Sequence, residues 1–195
     1  MSKLDDKALD QIFREAHTFN SFTDAPVSDE DIRAIYELAK FGPTAANTSP
    51  ARFLWVRSAE AKGKLRPTLA AGNVEKTMKA PATVIVAADY EFYEQLPKLY
   101  PHTDARSWYV GNDASIDATA KQSGSLQAAY LIIAARALGF DCGPMGGFNA
   151  GAVDEAFLAG TKWKSSLLIN IGHGAAGGSF PRNPRLAFED AVRIL

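Results

Sequence analysis

The stretch Gly42 to Val56, GPTAANTSPARFLWV, places Pro43, Thr44, Asn47, Thr48 and Ser49 between a helix end and a strand-like apolar run. Three readings follow from these residue types. Short polar side chains satisfy local backbone groups and proline stops helices, so the segment suits an ordinary loop. Asn47-Thr48-Ser49 also matches the N-glycosylation acceptor pattern. The third reading is a ligand cradle. A second segment with chemical potential is DCGPMGGF, Asp141 to Phe148. There Pro144, Met145, Gly146 and Gly147 suit either a plain turn or one whose backbone amides a flat ligand approaches closely. Arg182 and Arg185, in PRNPR, are either solvated charges or guanidinium forks shaped for phosphate.

Other signals carry less. Gly172, Gly174 and Gly177 spell G-x-G-x-x-G after an apolar run, but Gly178-Ser179-Phe180-Pro181 cannot open the helix that a dinucleotide site needs. Cys142 and His173 invite a thiol nucleophile with a base, yet a lone cysteine after an apolar helix is ordinarily a small buried hydrophobe. The histidines His17, His102 and His173 have no ligand spacing on one helix, so no metal site is expected.

The elements that must carry these residues are readable from periodicity. Leu4 to Ala16 has helical spacing, and Ser28 with Asp31 forms a capping box for a helix over Asp29–Lys40 that turns Ile32, Ile35, Tyr36 and Ala39 inward. ARFLWVR and ATVIVAAD read as strands with no wet face. Between them lie a helix capped by Ser58 and another in NVEKTMK, an α/β rhythm; SSLLINIG gives a further strand. The aromatic, Pro-broken segment from Phe92 to Asp117 reads as a surface excursion of the kind that covers sites. Leu126 to Leu138 is apolar on nearly every face, with Gly139 suited to its C-terminal cap. Such a helix must be covered all round, which predicts a homodimer.

Composition narrows the class. The 195 residues suit one domain, 1–195, and the net charge of -1 argues against a nucleic-acid partner. The N-terminus has no apolar signal region, and AAYLIIAARALGF is too short to span a bilayer, so no membrane role is expected. A single cysteine fits a reducing, cytoplasmic location, which weakens the case for a glycan on Asn47.

Taken in order, NSFTDAPVSDEDIRAIYELAKFGPTAANTSPARF, LGFDCGPMGGF, LLINIGHG and PRNPRLAFED resemble the FMN-dependent nitroreductase family from about Asn20 to Glu189. The resemblance implies an α+β fold, a nitroreductase-like three-layer sandwich with a central mixed sheet flanked by helices, dimeric through the long apolar helix. It implies FMN and NADPH or NADH as cofactors and no catalytic side chain, since the hydride passes through flavin N5. Pro43, Thr44 and Asn47 would line the flavin, as would Pro144 and Met145. Gly146 and Gly147 would aim amides at N5 and O4. His17, Thr18 and Asn20 match the N-terminal phosphate and ring-edge cluster, and Arg182, with Arg185 more weakly, the C-terminal phosphate arginine.

Within the family, GPTAANTSPAR, EFYEQLPKLYPHTDARSW, LQAAYLIIAARALGFDCGPMGGF and LLINIG are similar to the malonic semialdehyde reductases of pyrimidine utilisation. That subgroup implies reduction of 3-oxopropanoate to 3-hydroxypropanoate, with Arg106 and Trp108 of the excursion as candidates for the substrate carboxylate. The alternatives are a broad nitroaromatic or quinone reductase, a flavin-binding protein without turnover, and a cysteine-dependent hydrolase. One departure matters: the chain has AHTFN where the family commonly has an Arg-rich R-x-S-x-[RK] pattern, leaving Asn20 neutral where a cation often faces the ring. A lower flavin potential is expected unless another cation takes that place.

Overall fold

The computed structural model describes residues 2–195. A four-stranded sheet in the order β1-β2-β4-β3 forms its middle. The strands are β1 (Ala51–Val56), β2 (Ala82–Asp89), β3 (Asp141–Met145) and β4 (Trp163–Gly172). All three pairings are antiparallel, with Ala51 opposite Ala88, Ala82 opposite Ile171 and Asp141 opposite Gly172. The expected mixed sheet is therefore corrected for the named strands; among the described residues the one parallel contact is an isolated bridge between Thr18 and Cys142. The α/β rhythm misleads for a simple reason. Two helices, α3 (Ala59–Leu65) and α4 (Ala71–Lys79), separate β1 from β2, so the chain reverses once more than a single crossover helix would allow.

The sheet is covered on both faces, which makes three layers. Val84, Val86, Ile169 and Ile171 face α2 (Asp29–Ala39) and α6 (Asp113–Ala137), where Ile35, Leu131 and Ala135 complete one core. Ile85, Leu168 and Met145 face the other way, onto Leu65 and Val153 of α3 and α7 (Ala150–Phe157). A strand buried on both faces is apolar at nearly every position, as β2 is apart from its terminal Asp89 and the buried Thr83, whose hydroxyl bonds to Asn170 Oδ1 at 2.8 Å. The edge strand β1 is only partly buried, and its Arg52 pairs with Asp89 at 2.7 Å.

Local signals place most helix ends. Ser28 and Asp31 form the capping box of α2, and Ser58 caps α3. Of the four residues expected to turn inward from α2, Tyr36 stays half exposed. The N-terminal helical segment splits into α1 (Asp6–Leu9) and a five-residue π-helical stretch, Asp10–Arg14. α6 starts thirteen residues before Leu126, at Asp113, because the Asn112 side chain accepts the Ser115 amide and caps it there. The excursion before it is no loose lid. Phe92, Leu96, Ala105 and Tyr109 pack with Ile116 and Ala120 into a small core of their own around α5 (Leu96–Leu99). α8 (Phe188–Ala191) lies in an exposed C-terminal tail.

One buried cation ties this frame together. Lys62 of α3 donates to Thr77 O at 2.6 Å, Ala80 O at 3.0 Å and Thr83 Oγ1 at 2.8 Å, fastening the end of α4 to β2. Burial pushes its ammonium down from 10.5 to about 8. The unfolded chain then binds more protons between those two values, so this group's contribution to stability rises as pH climbs through that window, by up to about 3 kcal/mol. Cys142 works in the opposite direction above pH 9, because burial pushes its thiol up to about 12. Comparing wild type with Lys62→Met in urea unfolding at pH 7.5 and pH 10 cancels the cysteine. The stability difference should shift towards wild type at the higher pH, and a constant difference would contradict this account.

Candidate functional site

A cleft of about 440 Å³ brings together His17, Thr18, Asn20, Arg182 and Arg185, five of the residues singled out from sequence, with Arg136 of α6 as an unforeseen sixth. No carboxylate lines it among the described residues, so its field favours an anion. Three backbone contacts set its floor. Phe19 N donates to Cys142 O at 3.0 Å, Asn20 N to Gly178 O at 2.7 Å, and Thr18 bridges Cys142. The segment 18–20 is thus sewn between the start of β3 and the chain after β4, with Thr18 exposed and Asn20 half-buried.

The cations in the cleft are not equally free. Arg182 Nη2 donates to Arg14 O and Ala16 O, both at 2.7 Å, which fastens the C-terminal tail to residues 14–16. Arg185 Nη1 bonds to the carbonyls of its own neighbours Asn183 and Pro184. His17 Nδ1 lies 3.2 Å from Phe180 O; a carbonyl only accepts, so this nitrogen carries the hydrogen and Nε2 is left for other partners.

Asn20 and Phe180 also border a second recess of about 480 Å³ that reaches Gly72 and Lys76 of α4. Lys76 Nζ donates to Asn20 Oδ1 at 3.2 Å. The cation missing from AHTFN therefore stands on another element. Asn73, one turn before Lys76, donates through Nδ2 to Gly147 O at 2.8 Å. A Cβ on Gly147 would lie 2.5 Å from that nitrogen, so only glycine admits the clasp as built. Neither Asn73 nor Lys76 was singled out from sequence, although their i, i+3 spacing in NVEKTMK puts them on one helix face.

The DCGPMGGF segment differs from a simple turn. Its first five residues are β3, and Pro144 is tolerated because β3 is an edge strand. The turn begins at Gly146, which is exposed. Met145 points its side chain into the core, where Thr77 Oγ1 donates to its sulfur at 3.4 Å, so only its backbone can meet a ligand.

Pro43, Thr44 and Asn47 lie elsewhere in the chain. Their loop leads into Ala51, at the Ala88 end of edge strand β1, whereas Gly146 follows Met145 on the opposite edge. Three strand spacings, about 14 Å, separate those edges. The loop is nevertheless built to hold a shape. Ala46, Asn47 and Ser49 have φ of 45°, 52° and 41°, each costing on the order of 1 kcal/mol or more in residues other than glycine. Ser49 N donates to Thr44 Oγ1 at 3.1 Å, Ala45 N to Ser123 Oγ at 3.2 Å, and Asn47 Nδ2 to Leu99 O at 2.8 Å. Neither an ordinary loop nor a sugar acceptor requires that strain.

The competing motifs resolve plainly. No helix opens at Gly177; Gly174 instead packs so tightly that a Cβ would lie 2.1 Å from the Phe19 ring. Cys142 is fully buried and burial pushes its thiol up to about 12, in keeping with a small buried hydrophobe and against the alternative of a nucleophile. Arg106 is gripped by Glu94 through Nε at 2.8 Å and Nη2 at 2.7 Å, and Trp108 is half exposed against Tyr100.

Comparison with known proteins agrees with this frame. Residues 13–173 match the model of the nitroreductase family. A Burkholderia lata protein named as a candidate NADH dehydrogenase/NAD(P)H nitroreductase is 56% identical over 194 residues, covering all of both chains. Among solved structures, a candidate nitroreductase from Exiguobacterium sibiricum in complex with FMN superposes with a TM-score of 0.87 at 21% identity over all of both chains. A candidate NAD(P)H:FMN oxidoreductase from Staphylococcus epidermidis gives 0.84 at 21% identity, over all of this chain and 98% of that one. The protein belongs to the nitroreductase family.

Proposed function

We propose that residues 1–195 form one FMN-binding domain of a homodimeric, cytoplasmic NAD(P)H oxidoreductase that reduces malonic semialdehyde to 3-hydroxypropanoate in pyrimidine degradation. The observation that carries the flavin part is the trough formed where the arginine-lined cleft and the Lys76 recess adjoin at Asn20 and Phe180, beside the helix whose Asn73 clasps Gly147. Its ends have the polarity FMN requires. Arg182, Arg185, His17 and Thr18 suit a phosphate, while Asn20, Lys76 and the amides of Gly146 and Gly147 suit the polar edge of a flat ring. Bound there, the flavin supplies the chemistry by taking a hydride from a nicotinamide and giving one to the second substrate.

The chain's own residues then bind and tune. Lys76 places a positive charge beside Asn20, where it stabilises negative charge drawn onto the ring and offsets the loss expected from AHTFN. Pro43, Thr44 and Asn47 lie across the sheet from this trough, so they complete it only from a second copy of the chain. Dimerisation also gives cover to Leu126, Tyr130 and Leu138 of the apolar helix region, exposed at 41%, 37% and 41%.

Sequence likeness in the excursion favours the aldehyde as substrate. Arg106 and Trp108 remain the residues proposed to meet its carboxylate, with Glu94 weakening the pull of the arginine. The second reading, a nitroaromatic or quinone reductase, is favoured by the name carried by the Burkholderia lata relative. An anaerobic visible spectrum discriminates. The purified protein should show a flavin band that NADPH or NADH bleaches and 3-oxopropanoate restores. Recovery only with a quinone or nitroarene would transfer the assignment to the second reading. A band that neither nicotinamide can bleach would mark a flavin binder without turnover, and failure to take up FMN would overturn both enzyme readings.

A further inference from the structure

The arginine-lined cleft contains one arginine that differs from the others. Arg136 sits in the last turn of α6, a helix of 25 residues, whereas Arg182 and Arg185 lie in the exposed tail. Among the described residues its buried Nε has no hydrogen-bond partner, and the one hydrogen bond its side chain makes is a long one from Nη1 to Ile12 O at 3.3 Å. Leaving a charged donor buried and unpaired costs free energy that a bound anion would recover. The two tail arginines, by contrast, already spend donors on backbone carbonyls.

We infer that Arg136 is the pre-positioned phosphate-binding residue of this cleft, the rigid cation around which Arg182 and Arg185 close. This rests on the flavin reading above and adds a residue to it. The chain has His17 and Asn20 where the family pattern brings cations, and Arg136 lines the same cleft as both of them, reaching it from another element. The helix C-terminus stabilises the guanidinium while only mildly opposing an anion at a partly exposed site. A charge-assisted bond to phosphate exceeds that.

FMN and riboflavin differ only by the phosphate, so the pair isolates the role. Apoprotein would be titrated with each flavin by fluorescence quenching, for wild type, Arg136→Met and Arg136→Lys. Wild type should bind FMN far more tightly than riboflavin. Arg136→Met should weaken FMN binding roughly tenfold to a hundredfold while riboflavin affinity stays within about twofold, the range for a hydrogen bond to a charged group. Arg136→Lys should lose only several-fold on FMN, since it keeps the charge and lacks the fork. Equal losses on both flavins in both variants would mean a structural role and overturn the inference, as would unchanged FMN affinity in Arg136→Met. Wild type binding both flavins equally would remove the phosphate role and leave the flavin reading standing. Wild type binding neither would overturn both.

Discussion

Two variants that each bind little FMN should, when mixed and reassembled, recover about a quarter of wild-type flavin content. The first, Arg182→Glu with Arg185→Glu, reverses the charge of the tail arginines in the cleft. The second, Pro43→Trp, fills the exposed start of the strained loop. Cleft and loop stand on opposite edges of one sheet, so each complete site in the proposed dimer takes its cleft from one protomer and its loop from the partner. In a mixed dimer one site inherits both defects and the other inherits neither. Mixed dimers form about half of a random population and each carries one intact site of two, which gives about one quarter. Flavin absorbance per chain, with NAD(P)H oxidation as a second readout, measures the recovery. A mixture no better than the average of its parents would mean that each chain builds its site alone, and the two-copy arrangement would have to be abandoned.

Gly143→Ala should be among the most damaging single-methyl additions in the chain. A Cβ there would lie 2.4 Å from the backbone oxygen of Phe19, far inside contact distance, and backbone cannot swing aside as a side-chain tip can. Relief requires moving the segment 18–20 away from β3, against the Phe19 N bond to Cys142 O. Overpacking of this kind costs about 3 kcal/mol. For a chain of this length that corresponds to a fall in Tm of roughly 6–12 °C. Because Thr18 and Asn20 ride on the displaced segment, flavin affinity should fall with stability. Gly146→Ala is the control: its Cβ would meet nothing within 4 Å, so thermal stability should be unchanged. Calorimetry of the two variants decides, and a Gly143→Ala midpoint within about 2 °C of wild type would show that the segment yields cheaply.

What could be read from the chain beforehand was mostly local. The capping box at Ser28 and Asp31, the Ser58 cap, three apolar strand runs and the stop after Leu138 depend on neighbours within a few residues, and the structure has them where the pattern places them. The cleft residues His17, Thr18, Asn20, Arg182 and Arg185 were also nameable, because residue type and a familiar order of segments mark them. Pairing direction was not, since two short helices and one long one leave the same alternating pattern of apolar runs. Strand β3 hid inside DCGPMGGF because glycine and proline read as a turn, and only its edge position makes the proline acceptable.

Tertiary structure alone decided how distant residues share charge and space. Lys76 reaches Asn20 across 56 positions, and Arg136 enters a cleft whose other cations are more than 40 residues away. Lys62 is buried because the end of α4 folds over it, and Asn73 clasps Gly147 because β3 ends beside α4. None of these has a periodic signature. A sequence pattern records which face of a helix or strand is apolar; it does not record which polar group on one element meets which group on another, because that depends on how the layers are stacked and how far each strand is shifted.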